Sequence, residues 1–126
     1  MPTNWHILLV DDDPIFLASM AEALRRSCYR VTTAEHFTAA LNLLESPDKP
    51  DILVADIVMP RSINGMALAR MARLRHPSVA TIFLTGYVVP ELEQMSFGPL
   101  LRKPIEPAQL IAAIEAEHAR RAAESV

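Results

Sequence analysis

Short apolar runs recur along the chain at Ile7–Val10, about Tyr29–Thr33, Ile52–Ala55, Thr81–Leu84 and, most briefly, Leu100–Leu101. Runs this short and this continuous predict strands that are buried on both faces. Between them the apolar positions fall at helical spacing. Leu17, Met20 and Leu24 share one face, as do Phe37, Leu41 and Leu44, then Ala67, Met71 and Leu74, then Leu110 and Ile114 with their flanking alanines. Each of these stripes is read as the core-facing side of a helix. Strand and helix in alternation predict an α/β fold, a five-stranded parallel sheet wound doubly with helices on both faces.

Helix punctuation supports the same division. Asp13-Pro14 and Glu106-Pro107 each pair a capping position with a proline in the first turn, while Ser46-Pro47 and His76-Pro77 end the helices before them. Arg120 and Arg121 sit where a cation complements a negative helix end. No repeat, linker or low-complexity tract divides the 126 residues, so a single domain is expected over 1–126. Its ordered core should cover about residues 5–118, with an alanine-rich tail frayed over 119–126.

Charge and composition exclude more than they assign. A net charge of -3 argues against a general nucleic-acid surface, which needs clustered Lys and Arg. No apolar run approaches the roughly 18 residues that span a bilayer, and the N-terminal MPTNWH resembles no leader, so a cytoplasmic protein is expected. Cys28 is the only cysteine, which leaves no intramolecular disulfide and no thiolate metal site. His6, His36, His76 and His118 have no ligand-like spacing. Arg70, Arg73 and Arg75 read as a solvated basic helix edge, and Asn64-Gly65 as a turn or helix start.

In an open α/β sheet, ligands gather beyond the carboxyl ends of the strands. The residues just after each run therefore matter most. Asp11 and Asp12 follow the first strand in ILLVDDDP, Asp56 the third in LVADIVMP, Thr85 the fourth in IFLTGY and Lys103 the fifth in LLRKP. Three acids, a hydroxyl and an amine converge on one edge. Two carboxylates about 4 Å apart repel by roughly 4 kcal/mol at an effective dielectric near 20, so such a cluster calls for a cation.

Taken together and in that order, these residues make the chain similar to the receiver domains of two-component response regulators over nearly its whole length. The resemblance implies a flavodoxin-like sheet with strand order 2-1-3-4-5. It implies that Asp56 accepts a phosphoryl group from a phosphohistidine on a sensor histidine kinase or a histidine phosphotransfer protein. It implies a bound Mg²⁺ or Mn²⁺ held by Asp11, Asp12, Asp56 and the main-chain carbonyl of Val58, with a hydroxyl role for Thr85 and a phosphate-pairing role for Lys103. A cis bond between Lys103 and Pro104 belongs to the same expectation. Formal charge fits the set, since Asp11, Asp12 and Asp56 carry -3 while Mg²⁺ and Lys103 carry +3. A phosphoryl group of about -2 then needs a further donor, and Thr85 is placed to supply it.

The chain departs from the family pattern at three points. The family usually carries Tyr or Phe three residues before the lysine, where this chain has Leu100, so the switch role passes to Tyr87 or Phe97 or is lost; Tyr87 also reads as an ordinary half-buried rim residue. The fourth helix is shortened to about Pro90–Ser96, which favours a monomer or weak dimer. The stretch MPRSINGMAL is one residue longer between proline and glycine than the commonest form and resembles receivers associated with hybrid sensor kinases. Val58 and Tyr87 should border the phosphoryl group and exclude water from it. The output is expected to be a protein target, with no direct nucleic-acid or membrane contact. Two other readings compete: a receiver-like binding module that is never phosphorylated, and a haloacid dehalogenase-type phosphatase with Asp11 as nucleophile and Asp13 as acid/base.

Overall fold

The period of two along a strand decides the layering. On β1 (His6–Val10), Leu8 and Val10 face one side of the sheet and Ile7 and Leu9 the other, and all four are buried. The computed structural model of the chain describes residues 5–57, 65–86 and 98–124. Among these, β1 is followed by α1 (Pro14–Arg26), β2 (Arg30–Ala34), α2 (Phe37–Glu45), β3 (Ile52–Asp56), α3 (Gly65–Arg75), β4 (Ala80–Thr85), β5 (Leu100–Arg102) and α4 (Pro107–Glu124). The strands form one parallel sheet in the order β2-β1-β3-β4-β5. One core layer joins Leu8, Val10, Leu53, Ala55 and Phe83 to α2 and α3; the other joins Ile7, Leu9, Ile52, Val54, Ile82 and Leu84 to α1 and α4. The expected fold class and strand order are those observed. The short helix expected at Pro90–Ser96 lies outside the described residues, as do Val58, Tyr87 and Phe97.

Local chemistry sets the helix ends. Asp13 caps α1 by accepting from the Ile15 and Phe16 amides at 3.0 and 3.3 Å, with Pro14 in the first turn. At the other end of α1, the Cys28 amide donates to the Arg25 carbonyl and the Tyr29 amide to the Leu24 carbonyl. This is a Schellman closure, and it puts Cys28 in the left-handed region at φ 71° where glycine is usual. Its hydrophobic partner pair is Tyr29 with Leu24, both in the α1/α4 core layer. Tyr29 is thereby spent on closing the helix, and β2 starts one residue later than its apolar run suggested. His36 caps α2, its Nδ1 accepting the Ala39 amide at 3.2 Å. At α4 the Glu106-Pro107 signal works in reverse: the Gln109 side chain accepts the Glu106 amide at 2.7 Å, half of a capping box.

Two expectations need correction. Ala67, Met71 and Leu74 do not form the core stripe of α3, because the helix buries Gly65, Leu68, Ala69 and Ala72 and leaves Leu74 80% exposed. Small side chains on the buried face let the helix axis come close to β3, which the bulkier stripe would prevent. The stretch from residue 119 expected as tail lies within α4, which continues to Glu124. Arg121 ties the last turns down by donating to the Ser78 and Val79 carbonyls at 2.7 and 3.1 Å, just ahead of β4. No helix among the described residues is long and apolar enough to cross a membrane.

Candidate functional site

Parallel register carries the chemistry to one edge. Val10 is level with Ala55, so Asp11 leaves β1 beside Asp56, the last residue of β3. Asp56 is level with Leu84, which places Thr85 one step beyond at the end of β4. Thr85 is level with Arg102, and the Lys103 amide then donates to the Thr85 carbonyl at 2.7 Å. Asp11, Asp12, Asp56, Thr85 and Lys103 are thus brought together, as the sequence suggests. Leu100 pairs with Phe83 on β4 and packs against the α2/α3 core layer.

The centre of the site is an amine shared by two acids. Lys103 Nζ donates to Asp11 Oδ2 at 2.5 Å and to Asp56 Oδ2 at 2.9 Å, and the Lys103–Pro104 bond is cis. The Asp11 carboxylate is fully buried and that of Asp56 is 9% exposed. Asp11 Oδ1 accepts the Asp13 amide at 3.0 Å, so each of its oxygens has a donor. One positive charge is thus shared between two buried carboxylates. Burial, aided by the charge of Asp56, pushes the Asp11 carboxyl above its ordinary range despite the Lys103 and Asp13 hydrogen bonds. Burial pulls the Lys103 amine down, but the hydrogen bonds and charges of Asp11 and Asp56 outweigh it and raise the amine above its ordinary value. Lys103 is therefore a permanent cation at neutral pH.

Asp12 is exposed beside this pair, and one carboxylate oxygen from each of Asp11, Asp12 and Asp56 lies within 4.8 Å of the others. Three hard oxygen donors at a half-open strand edge suit an oxygen-seeking divalent cation such as Mg²⁺ or Mn²⁺, which keeps part of its water shell. The uneven burial also separates roles within the acidic run. Asp11 is sealed in, Asp12 is open to solvent, and Asp13 is committed to the cap of α1.

Two contributors were not picked out from sequence. Gly65 opens α3 directly against β3: a Cβ there would lie 2.4 Å from the Asp56 carbonyl oxygen and 3.3 Å from the Ala55 Cβ. Its amide donates to the Ile57 carbonyl at 3.2 Å. The glycine at the start of α3 was the available signal, but only the approach of the helix to β3 gives it meaning. Phe16 is the second, its ring centroid 4.6 Å from Lys103 Nζ. It is one of many half-apolar positions on α1, and nothing in the sequence links it to a lysine 87 positions away.

Comparison with known proteins gives this geometry a context. The model of the response regulator receiver domain matches residues 7–115. The response regulator receiver protein CpdR of Brucella abortus is 32% identical over 114 residues, covering 86% of this chain and 92% of CpdR. ARR21 of Arabidopsis thaliana is 30% identical over 108 residues, covering 83% of this chain, which spans only 18% of that protein's length. Among solved structures, a CheY-like receiver domain protein from Methanospirillum hungatei superimposes with a TM-score of 0.87 at 26% identity, over 97% of this chain and 99% of that one. A sheet of this order with acids, hydroxyl and amine gathered on its carboxyl edge, matched over this much of its length, places the chain in the response regulator receiver domain family of two-component signalling.

Proposed function

We propose that Asp56 is the phosphoacceptor of this receiver domain, and that it takes its phosphoryl group from a phosphohistidine on a sensor histidine kinase or a histidine phosphotransfer protein. The observation that carries this reading is the Lys103 ammonium lodged between Asp11 and Asp56. A carboxylate oxygen of Asp56 attacks phosphorus, the P–N bond of the donor breaks with its electron pair staying on that ring nitrogen, and the proton already on the donor's other ring nitrogen makes the leaving group a neutral imidazole. Attack by an anion on an anion needs positive charge at the transferred group, and Lys103 supplies one such charge from a fixed position. Asp11, Asp12 and Asp56 would hold Mg²⁺ or Mn²⁺, which supplies the remaining neutralisation. Thr85, fully buried at the neighbouring strand end, is the hydroxyl that would turn to the phosphoryl oxygens and pass the change to the adjoining loop. The output is a protein partner that reads this shift, with Leu100 in the position where an aromatic would usually report it.

The phosphatase reading is disfavoured by the same geometry. Asp11 is fully buried with both oxygens engaged, and Asp13 spends its carboxylate on the α1 cap, so neither is placed as a nucleophile or proton donor. The test is treatment with acetyl phosphate, with and without Mg²⁺, followed by intact mass of wild type and Asp56→Asn. A Mg²⁺-dependent gain of one phosphoryl mass on wild type, abolished in Asp56→Asn, is expected. No gain on wild type favours the unphosphorylated binding module, and a gain that survives the substitution moves the nucleophile elsewhere.

A further inference from the structure

Lys103 has a third neighbour besides its two carboxylates. The Phe16 ring centroid lies 4.6 Å from Nζ, while Asp11 and Asp56 take hydrogen bonds at 2.5 and 2.9 Å. The ring is itself anchored, packed against the α1/α4 core layer. Its backbone is fixed as well, because the Asp13 cap accepts the Phe16 amide and Pro14 presets the first turn. Asp13, Phe16 and Lys103 thus form a chain of contacts from the helix cap to the reacting edge.

A lysine ammonium is a compact charge on a flexible four-carbon stem, and its position must be imposed from outside. The face of an aromatic ring attracts a cation through its quadrupole, an attraction that an aliphatic side chain of similar bulk lacks. Of the three neighbours, Asp56 is the one whose charge and shape change when it is phosphorylated. The ring is an anchor that this modification leaves alone.

We propose that Phe16 is a positioning residue whose ring face holds the Lys103 ammonium at the Asp11–Asp56 edge, keeping the amine aimed at the acceptor before and after phosphoryl transfer. The functional half of this proposal rests on the phosphoacceptor reading above; the structural half rests on the contact alone.

The test uses the full chain with Phe16→Leu, Phe16→Tyr and a series of ring-fluorinated phenylalanines at position 16. Fluorine drains the ring face of negative potential with little change of shape, so this series remains informative even if the leucine variant folds poorly. The first readout is the NMR shift of the Lys103 side-chain methylene groups without phosphodonor. An upfield ring-current shift is expected in wild type and Phe16→Tyr and should vanish in Phe16→Leu. The second is the rate of Asp56 phosphorylation by acetyl phosphate with Mg²⁺, expected to fall about fivefold in Phe16→Leu, to decline stepwise with fluorination and to stay near wild type in Phe16→Tyr. Wild-type rates throughout the fluorinated series, or a wild-type Lys103 without the ring-current shift, would overturn the proposal. A wild-type chain that takes no phosphoryl group defeats the phosphoacceptor reading and the functional half with it, while the NMR readout still decides the contact.

Discussion

Adding one methyl group to Gly65 should disturb the Asp56 carboxylate from behind. The Cβ of an alanine there would sit 2.4 Å from the Asp56 carbonyl oxygen and 3.1 Å from its carbonyl carbon, where ordinary contact begins at 3.4 Å. The obstacle is strand backbone, which cannot rotate aside as a flexible side chain could. Either α3 retreats by about 1 Å or the end of β3 does. Overpacking of this kind typically costs about 1–3 kcal/mol, and Gly65→Ala should lower the urea midpoint accordingly with little change in slope. The site should suffer more than the fold, because a displacement of about 1 Å at a reacting centre can cost on the order of 100-fold in rate. Gly86→Ala is the matched control: a Cβ there meets nothing within 4 Å, although Gly86 directly follows Thr85. The measurement is urea unfolding followed by the acetyl phosphate reaction for both variants. If Gly65→Ala equals Gly86→Ala in stability and in phosphorylation rate, the account of α3 seated on Asp56 is wrong.

Further outcomes follow from the helix ends and the shared amine. Cys28→Gly should raise stability by about 1 kcal/mol, seen as a higher Tm, because it relieves a left-handed residue at an exposed position. His36→Ala should cost about 1 kcal/mol in urea unfolding through loss of the α2 cap, and His36→Asn should recover most of it. Lys103→Met leaves Asp11 and Asp56 facing each other without a cation, and the metal-free protein should lose up to about 3 kcal/mol, below the range for a fully buried pair because the lysine is 23% exposed. Added Mg²⁺ should restore part of that loss in a denaturation series, and a deficit indifferent to Mg²⁺ would count against a cation site at the acids. Because the folded protein raises the Lys103 amine above its ordinary 10.5, the stability this contributes is present below pH 10.5 and drains away as pH climbs through the folded value. Alkaline unfolding of Lys103→Met should therefore show a shallower fall over that window than wild type.

Much of this protein is decided by sequence pattern alone. The continuously apolar runs at Ile7–Val10 and Ile52–Ala55, with helical spacing around them, point to a parallel sheet covered on both faces, and the strands there are fully buried, whereas the edge strands β2 and β5 are partly exposed. The residues that end those runs settle which side chains meet, since the parallel register carries every strand end to the same edge. Asp13-Pro14 announces the start of α1, because capping is local chemistry that needs no distant partner.

What pattern could not decide is which of two plausible faces a helix buries and what a residue touches across the sheet. Helix α3 offers an apolar stripe at Ala67, Met71 and Leu74 and a smaller one at Gly65, Leu68, Ala69 and Ala72. Hydropathy favours the first, yet the second is buried because close approach to β3 rewards small side chains. The end of α4 reads as a tail until Arg121 finds the carbonyls before β4. In the same way Asp11 and Asp12 are equal in sequence, and only tertiary structure seals Asp11 against Lys103 and leaves Asp12 to solvent. Local backbone chemistry is written in neighbouring residues; burial and charge pairing depend on partners far along the chain, and those exist only once the sheet has formed.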